Sequence, residues 1–378
     1  MSGKYDIAVV GAGLIGLATA RALLVAHPHL QLVVFEKEAE VARHQSGHNS
    51  GVIHSGLYYP AGSLKAQLCR EGREELLRFA AEKGIPHLIL GKLVVAVDDS
   101  ELPRLEELRR RGEANGLVGM RELEDWSEIE PHVRGVRALH VPETGSIDYR
   151  VVARAYAEDV RERGGELVLG HEVRSPQELP AERVVVCGGL QADRLAGRTE
   201  PRIVPFRGDY YVLSSRAAQL VRGHVYPVPD PTFPFLGVHF SRRIDGAVWA
   251  GPNAVLSLAR EGYGRMRIDV RDATDVLRRP AAWRLARRYW RTGARELWAD
   301  LVKPAALREM RRYLPALRSR DVRLGPSGIR AQLLAADGSL VDDFLLEQEG
   351  SVLHVLNAPS PAATASLAIG RRIAAQLA

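Results

Sequence analysis

Tyr5-Asp6-Ile7-Ala8-Val9-Val10-Gly11-Ala12-Gly13-Leu14-Ile15-Gly16 reads as a short apolar strand running straight into a glycine-rich turn. Residues 17–25 then carry helical patterning, residues 32–35 form a second apolar run, and Glu36 follows at its end. The spacing has a physical logic. Gly11 allows the tight turn, Gly13 lets backbone approach a pyrophosphate, and Gly16 permits close packing of helix on strand. The helix N-terminus presents free N–H groups and partial positive charge to phosphates. Glu36 puts a carboxylate where ribose hydroxyls donate to it and where a 2′-phosphate is disfavoured. Strand, turn, helix, strand and acid in that order predict a nucleotide-binding α/β unit.

The next run decides which nucleotide. His44-Gln45-Ser46-Gly47-His48-Asn49-Ser50-Gly51-Val52-Ile53-His54-Ser55-Gly56-Leu57-Tyr58-Tyr59-Pro60 is small and polar, the make-up of a loop wrapped around a cofactor. A mobile nicotinamide needs one nucleotide fold and an open cleft. A permanently held flavin needs further backbone and hydroxyl donors along its pyrophosphate and ring, and this run supplies them, so FAD is the expected cofactor. Glu36, Lys37, Gln45, Ser46, His48, Asn49 and Ser50 are expected contacts, with Gly11, Gly13 and Gly16. His44 and His48 have the spacing of a metal pair, but nearby glycines and no adjacent acids favour cofactor contact or solvation; no metal is expected. A second signal lies in Asn357-Ala358-Pro359-Ser360-Pro361-Ala362-Ala363-Thr364. Ser360 suits an N-cap and Pro361 a first helical position. A helix over 362–377 would aim its positive end at the N1–C2=O side of a flavin, making Pro359, Ser360, Ala362 and Thr364 candidate contacts.

Composition narrows the class. A chain of 378 residues, 46% hydrophobic and 26% charged, can build two soluble domains. Cys69 and Cys187 stand far apart in no C-x-x-C pattern, which argues against disulfide scaffolding and cysteine metal sites. The first strand begins close to Met1, leaving no room for a targeting peptide, and no apolar run reaches spanning length. A cytoplasmic location is expected. Residues 278–320 hold 13 Arg or Lys against 3 Asp or Glu, so the basicity behind the net +6 belongs to one segment. There Trp283, Ala286, Trp290, Ala294, Leu297, Trp298 and Leu301 recur at three- and four-residue steps between arginines. This predicts a basic amphipathic helix. Its tryptophans either meet an anionic membrane surface or face the core.

The order of elements predicts a discontinuous nucleotide domain with a second domain inserted. Helices are expected over 71–83, 102–115 and 148–163, and strands over 92–97, 166–169, 183–189, 210–214, 235–241, 247–251 and 352–356. The fold class is therefore α/β: a Rossmann-like FAD-binding domain of the glutathione-reductase type (1–85, 142–205 and 325–378). The inserted α+β substrate domain (86–141 and 206–324) is built on a mainly antiparallel sheet. The run ending at Gly188 offers a second backbone approach to the cofactor.

At this point the chain resembles the L-2-hydroxyglutarate dehydrogenase/oxidase family, a branch of the FAD-dependent D-amino-acid-oxidase-like superfamily. The resemblance rests on Gly11–Gly16, Glu36-Lys37-Glu38, the run 45–60, Ser63-Leu64-Lys65, Gly91-Lys92-Leu93, Asp148-Tyr149-Arg150 and Pro205-Phe206-Arg207-Gly208-Asp209-Tyr210. It continues through residues 233–239, Gly251-Pro252-Asn253-Ala254-Val255-Leu256, Gly328-Ile329-Arg330-Ala331-Gln332 and residues 357–364. Between Val173 and Val184 relatives carry a longer excursion, bordering the adenine end, where Val173 is an expected contact. The resemblance implies oxidation of L-2-hydroxyglutarate to 2-oxoglutarate, with hydride passing from C2 to flavin N5. Electrons then leave for a membrane quinone or oxygen. The chemistry needs a base and cations for two carboxylates. His239 is the leading base and His54, in the flavin loop, the second. Arg330 is the leading carboxylate anchor, by its planar fork and its match to the superfamily's substrate arginine. Lys65, Arg207 and Tyr210 are weaker candidates for the distal carboxylate or the flavin. Two other readings stay open: an amine or amino-acid oxidase of glycine or sarcosine type, and a flavin-bearing protein using 278–320 on nucleic acid. No nucleic-acid partner is expected on the leading reading.

Overall fold

The computed structural model describes residues 4–230 and 235–377. Tyr5–Val10 lies inside a six-stranded sheet, paired in parallel with Leu32–Phe35 on one side and Ala181–Val186 on the other. Glu166–Val168 extends one edge; Val352–Asn357 and the antiparallel Leu345–Glu349 extend the other. Strands covered on both faces read as continuous apolar runs, and these do. The helices Leu14–Ala26, Leu64–Glu82, Tyr149–Glu162 and Ser366–Leu377 bury their apolar faces in one cluster with Ile7, Val9, Val34 and Val185. The first helix starts at Leu14, three residues before the patterning suggested, because Gly13 is already extended as its cap. The helix expected over 71–83 begins at Leu64, where Ser63 caps it by accepting from the Ala66 N–H.

The second layer is a ten-stranded, mainly antiparallel sheet. Its spine is the long pairing of Arg202–Leu213 with Val322–Leu334, with a register break between Asp209 and Tyr211. Val248–Gly251, His239–Arg242 and His224–Pro227 follow in turn. His224–Pro227 then pairs in parallel with Lys92–Ala96. Two expectations shift. The domain boundaries expected at 205 and 325 fall inside two strands of this sheet, Arg202–Leu213 and Val322–Leu334. The strand expected over 235–241 shortens to His239–Arg242, and residues 233 and 234 of the motif lie outside the described residues.

The basic segment also departs from expectation. Instead of one amphipathic helix it forms three, Pro280–Arg288, Trp290–Leu301 and Lys303–Arg311. Pro280 and Pro304 lie in first turns, where a missing N–H is harmless; Pro304 could not continue the helix before it. Ala281, Leu285, Ala306, Leu307 and Met310 face inward, whereas Trp283, Trp290 and Trp298 are 61%, 62% and 62% exposed. Core packing is therefore not what these indoles do. Among the described residues no helix is long and apolar enough to cross a membrane.

One buried ion cluster ties distant segments together. Arg260, 1% exposed, donates to Asp193, to Asp275, and to the carbonyls of Leu190 and Ile203, while its own N–H donates to Asp272. Removing this cation takes from buried Asp193 its most buried partner, with only Arg202 left in ion-pair range among the described residues. Arg260→Met is expected to destabilise the protein by about 3–5 kcal/mol, measured by urea or thermal unfolding; an unchanged midpoint would show that Arg260 adds nothing to stability.

Candidate active site

The glycine turn is built as its spacing implies. Gly11 has φ +102°, and a Cβ there would meet the Cys187 carbonyl oxygen at 2.5 Å; on Gly16 it would meet the Gly11 carbonyl oxygen at 1.9 Å. In front of the turn lies a cavity of about 870 Å³, lined by Gly11, Gly13, Gly16, Glu36, Lys37, Gln45, Ser46, Val173, Gly188 and Ala362 among others. Glu36 is buried at the strand end, accepting from the Ala12 N–H (2.7 Å) and the Glu38 N–H (3.0 Å). Ser46 accepts from the Leu14 N–H at 3.0 Å, tying the loop to the helix N-terminus. An acid at one end and a glycine turn with a helix N-terminus beside it match the ribose and diphosphate of FAD in both charge and order.

His48, Asn49, Ser50, Pro359, Ser360 and Thr364 do not line this cavity; they serve the loop or its surroundings. Asn49 staples its loop, donating to the Gln45 and Ser46 carbonyls and accepting from the Gly51 N–H. His48 donates through Nδ1 to the Ser327 carbonyl and stacks on Tyr263 at 3.8 Å. Ser50 bonds the Tyr210 hydroxyl. Thr364 is fully buried, accepting from the His54 N–H at 3.1 Å and meeting the Tyr149 hydroxyl at 2.9 Å. This diverts the chain, so the last helix starts at Ser366 and not 362, and Ser360 is not its N-cap. Turns such as Ala365 N–H to the Pro361 carbonyl fill the gap. The acids expected to be missing around His44 are present after all. Glu38, six residues earlier, lies 2.9 Å and Glu261, from a distant segment, 3.8 Å from its Nε2, and Lys37 sits 2.5 Å from Glu261 as their counter-ion.

The second cluster lies where the large sheet meets the 44–60 loop. His239 donates through Nδ1 to the Gly237 carbonyl at 2.9 Å, which leaves Nε2 as an acceptor, and its ring lies 4.1 Å from Tyr226. Burial, with the cations Arg330 and Lys92 nearby, lowers its pKa to about 4. Burial likewise lowers His54 and His224 to about 3. All three are therefore neutral at neutral pH. Arg330 donates to the Asn253 carbonyl at 3.0 Å and lies over the Phe235 ring, with no carboxylate in ion-pair range among the described residues. Tyr210 is close enough for the Arg330 charge to act on its hydroxyl.

Two expected substrate ligands are otherwise engaged. Arg207 binds Asp209 through Nε, the Arg265 carbonyl through Nη1 and Asp300 through Nη2, so its donors are filled inside the protein. Its role is support: Asp300 also accepts from Asn253, whose carbonyl holds Arg330. Lys65 is paired with Asp342 at 2.6 Å. Sequence reasoning missed Asn253, Asp300 and Lys92 as site residues. Lys92 and Asn253 each stood in a motif of the resemblance, and Lys92 carried a signal of its own, a cation opening the otherwise apolar strand Lys92–Ala96.

Glu36 is the group most exposed to test in the nucleotide half. Glu36→Ala is expected to weaken FAD retention by about 10–100-fold, the loss of charge-assisted hydrogen bonds. The flavin-to-protein absorbance ratio after dialysis checks this, and full retention would remove Glu36 from the site.

The FAD dependent oxidoreductase family model matches residues 6–376. L-2-hydroxyglutarate dehydrogenase, mitochondrial, of Nematostella vectensis is 46% identical over 411 residues, covering 99% of this chain and 90% of the relative. The human enzyme of that name is 43% identical, covering 98% and 88%, and the Indibacter alkaliphilus L-2-hydroxyglutarate dehydrogenase is 42% identical, covering 97% of each. Among solved structures, dithionite-reduced L-alpha-glycerophosphate oxidase from Mycoplasma pneumoniae with FAD bound superposes with TM-score 0.77 at 23% identity, over 99% of this chain and 94% of that one. Glycine oxidase from Bacillus cereus gives 0.69 at 16% over 99% and 95%; at such identities the likeness is one of fold. With the glycine turn, the acid and the buried histidine–arginine cluster in position, the chain belongs to the L-2-hydroxyglutarate dehydrogenase family of FAD-dependent oxidoreductases.

Proposed function

We propose that this protein oxidises L-2-hydroxyglutarate to 2-oxoglutarate, with His239 as base and Arg330 as the anchor of the C1 carboxylate. The observation that carries the reading is Arg330, a cation with no carboxylate in ion-pair range among the described residues and only the more distant Glu296 acting on its charge, next to a neutral histidine whose Nε2 is left as an acceptor. The Arg330 fork grips a planar carboxylate through two parallel hydrogen bonds and fixes C2. His239 Nε2 takes the hydroxyl proton, and the Gly237 carbonyl holds the ring in the required tautomer. Bound FAD supplies the acceptor for the hydride that leaves C2. Tyr210 orients the substrate from the same face, and His54 is the alternative base. An anaerobic panel of 2-hydroxy acids and amino acids tests the reaction: L-2-hydroxyglutarate is expected to bleach the flavin, and bleaching by glycine or sarcosine instead would overturn it. Arg330→Lys is expected to lower kcat/KM on the order of 100-fold while FAD stays bound, since an ammonium cannot reproduce the bidentate pair.

The electrons are passed to a quinone at a membrane surface. Trp283, Trp290, Leu297, Trp298 and Leu301 are exposed, and Arg287, Arg288 and Arg291 beside them are exposed too. Indoles at headgroup depth with arginines on lipid phosphates is the pattern of an interfacial surface. Trp290→Ser with Trp298→Ser is expected to cut flotation with anionic vesicles at least about tenfold without changing turnover on a soluble acceptor. Unaltered flotation would dismiss the surface as a lipid contact.

A further inference from the structure

We infer that Lys92 is the subsite for the distal carboxylate, the group that selects a diacid over a hydroxy monoacid; the inference rests on the hydroxy-acid reading above. Lys92 is 2% exposed. Its Nζ lies 4.3 Å from the Tyr58 ring centre and 5.2 Å from that of Tyr226. Tyr226 in turn packs 4.1 Å from His239. No carboxylate pairs with Lys92 among the described residues. The Tyr58 hydroxyl is also buried without a hydrogen-bond partner there. A buried lysine is stable only with a counter-charge or as the free amine, and a buried hydroxyl donor without an acceptor is costly. Both vacancies are of the kind an incoming carboxylate fills.

The charges fit a substrate with two carboxylates. Lys92 and Arg330 both act electrostatically on His239, and neither has a carboxylate in ion-pair range among the described residues, Glu296 acting on Arg330 from further away, so one cation is offered to each end of a dicarboxylate. Lys65 and Arg207, the cations first expected for the distal end, are paired within the protein. The surroundings of Lys92 are otherwise neutral. Cys69 faces it from the helix Leu64–Glu82, His54 from the flavin loop, and His224 from the next strand, all uncharged at pH 8. Burial lowers the Lys92 ammonium to about 7. A carboxylate docking beside it reverses that shift, so at pH 8 binding draws a proton onto Lys92. The histidines, at about 3 to 4, stay deprotonated at pH 8 and take no part.

The test uses FAD-loaded enzyme and glutarate, a dicarboxylate with no hydroxyl to oxidise. Calorimetric titration at pH 8 in two buffers of different ionisation enthalpy is expected to give net uptake approaching one proton per glutarate, and none with Lys92→Met. Glutarate binding by the wild type without uptake overturns the assignment. In turnover, Lys92→Met is expected to lower kcat/KM for L-2-hydroxyglutarate on the order of 100-fold. For L-2-hydroxyvalerate, which ends in methyl, it should change by less than about threefold. Equal losses on both substrates, or none, also overturn it. Removing an unpaired buried ammonium is expected to leave the melting temperature equal or higher, whereas a lysine with only a structural role would lower it. A wild type that does not oxidise L-2-hydroxyglutarate at all defeats the hydroxy-acid reading. A wild type that does, beside a Lys92→Met enzyme that keeps its preference for the diacid, defeats only the Lys92 assignment.

Discussion

The cost of keeping charge out of water organises this molecule. Most interior acids are matched to arginines: Asp193, Asp272 and Asp275 to Arg260, Arg194 and Arg202, and Asp209 and Asp300 to Arg207 and Arg265. Once those acids are taken, Arg330 and Lys92 stand on one face of the large sheet with no carboxylate in ion-pair range among the described residues. A site that holds uncompensated cations in low dielectric attracts anions far more strongly than the same groups in water. The stability of the scaffold and the appetite of the site come from one distribution of charge.

That distribution also explains the histidines. His54, His224 and His239 lie near Lys92, and desolvation acts on them in the same direction, so each is held neutral. A neutral imidazole with one nitrogen committed to a backbone carbonyl is an acceptor of defined orientation. The supporting chain is short and rigid. Asp300, on the helix Trp290–Leu301, binds both Arg207 and Asn253, and the Asn253 carbonyl holds Arg330. The helix that turns its tryptophans outward thus turns a carboxylate inward, toward the strand that carries Arg330.

Contacts between layers set the flavin side. Thr364 is pinned by the His54 N–H and the Tyr149 hydroxyl, which joins the C-terminal turn, the 44–60 loop and the helix Tyr149–Glu162 at one buried point. The same pinning moved the final helix start to Ser366. Capping preferences at Ser360 and Pro361 are local and weak, and a buried hydroxyl that needs its partners outweighs them.

Local patterns were enough for the nucleotide unit. Gly11, Gly13, Gly16 and Glu36 act within one strand–turn–helix–strand stretch, where spacing alone sets geometry, and the apolar runs at 5–10, 32–35 and 352–356 announced buried strands. The substrate half was less legible. Arg207 and Arg330 are alike as letters, both arginines on strands paired to each other, yet one is consumed by Asp209 and Asp300 and the other is not. Likewise, the spacing of the tryptophans in 278–320 fits core and surface equally, until Leu285, Leu307 and Met310 claim the inward face. Sequence by itself determined the cofactor fold, because its determinants are neighbours along the chain. Which cations remain unpaired, which histidine has a free nitrogen and which face of a helix meets water were decided only by tertiary structure, because each depends on partners brought from distant segments.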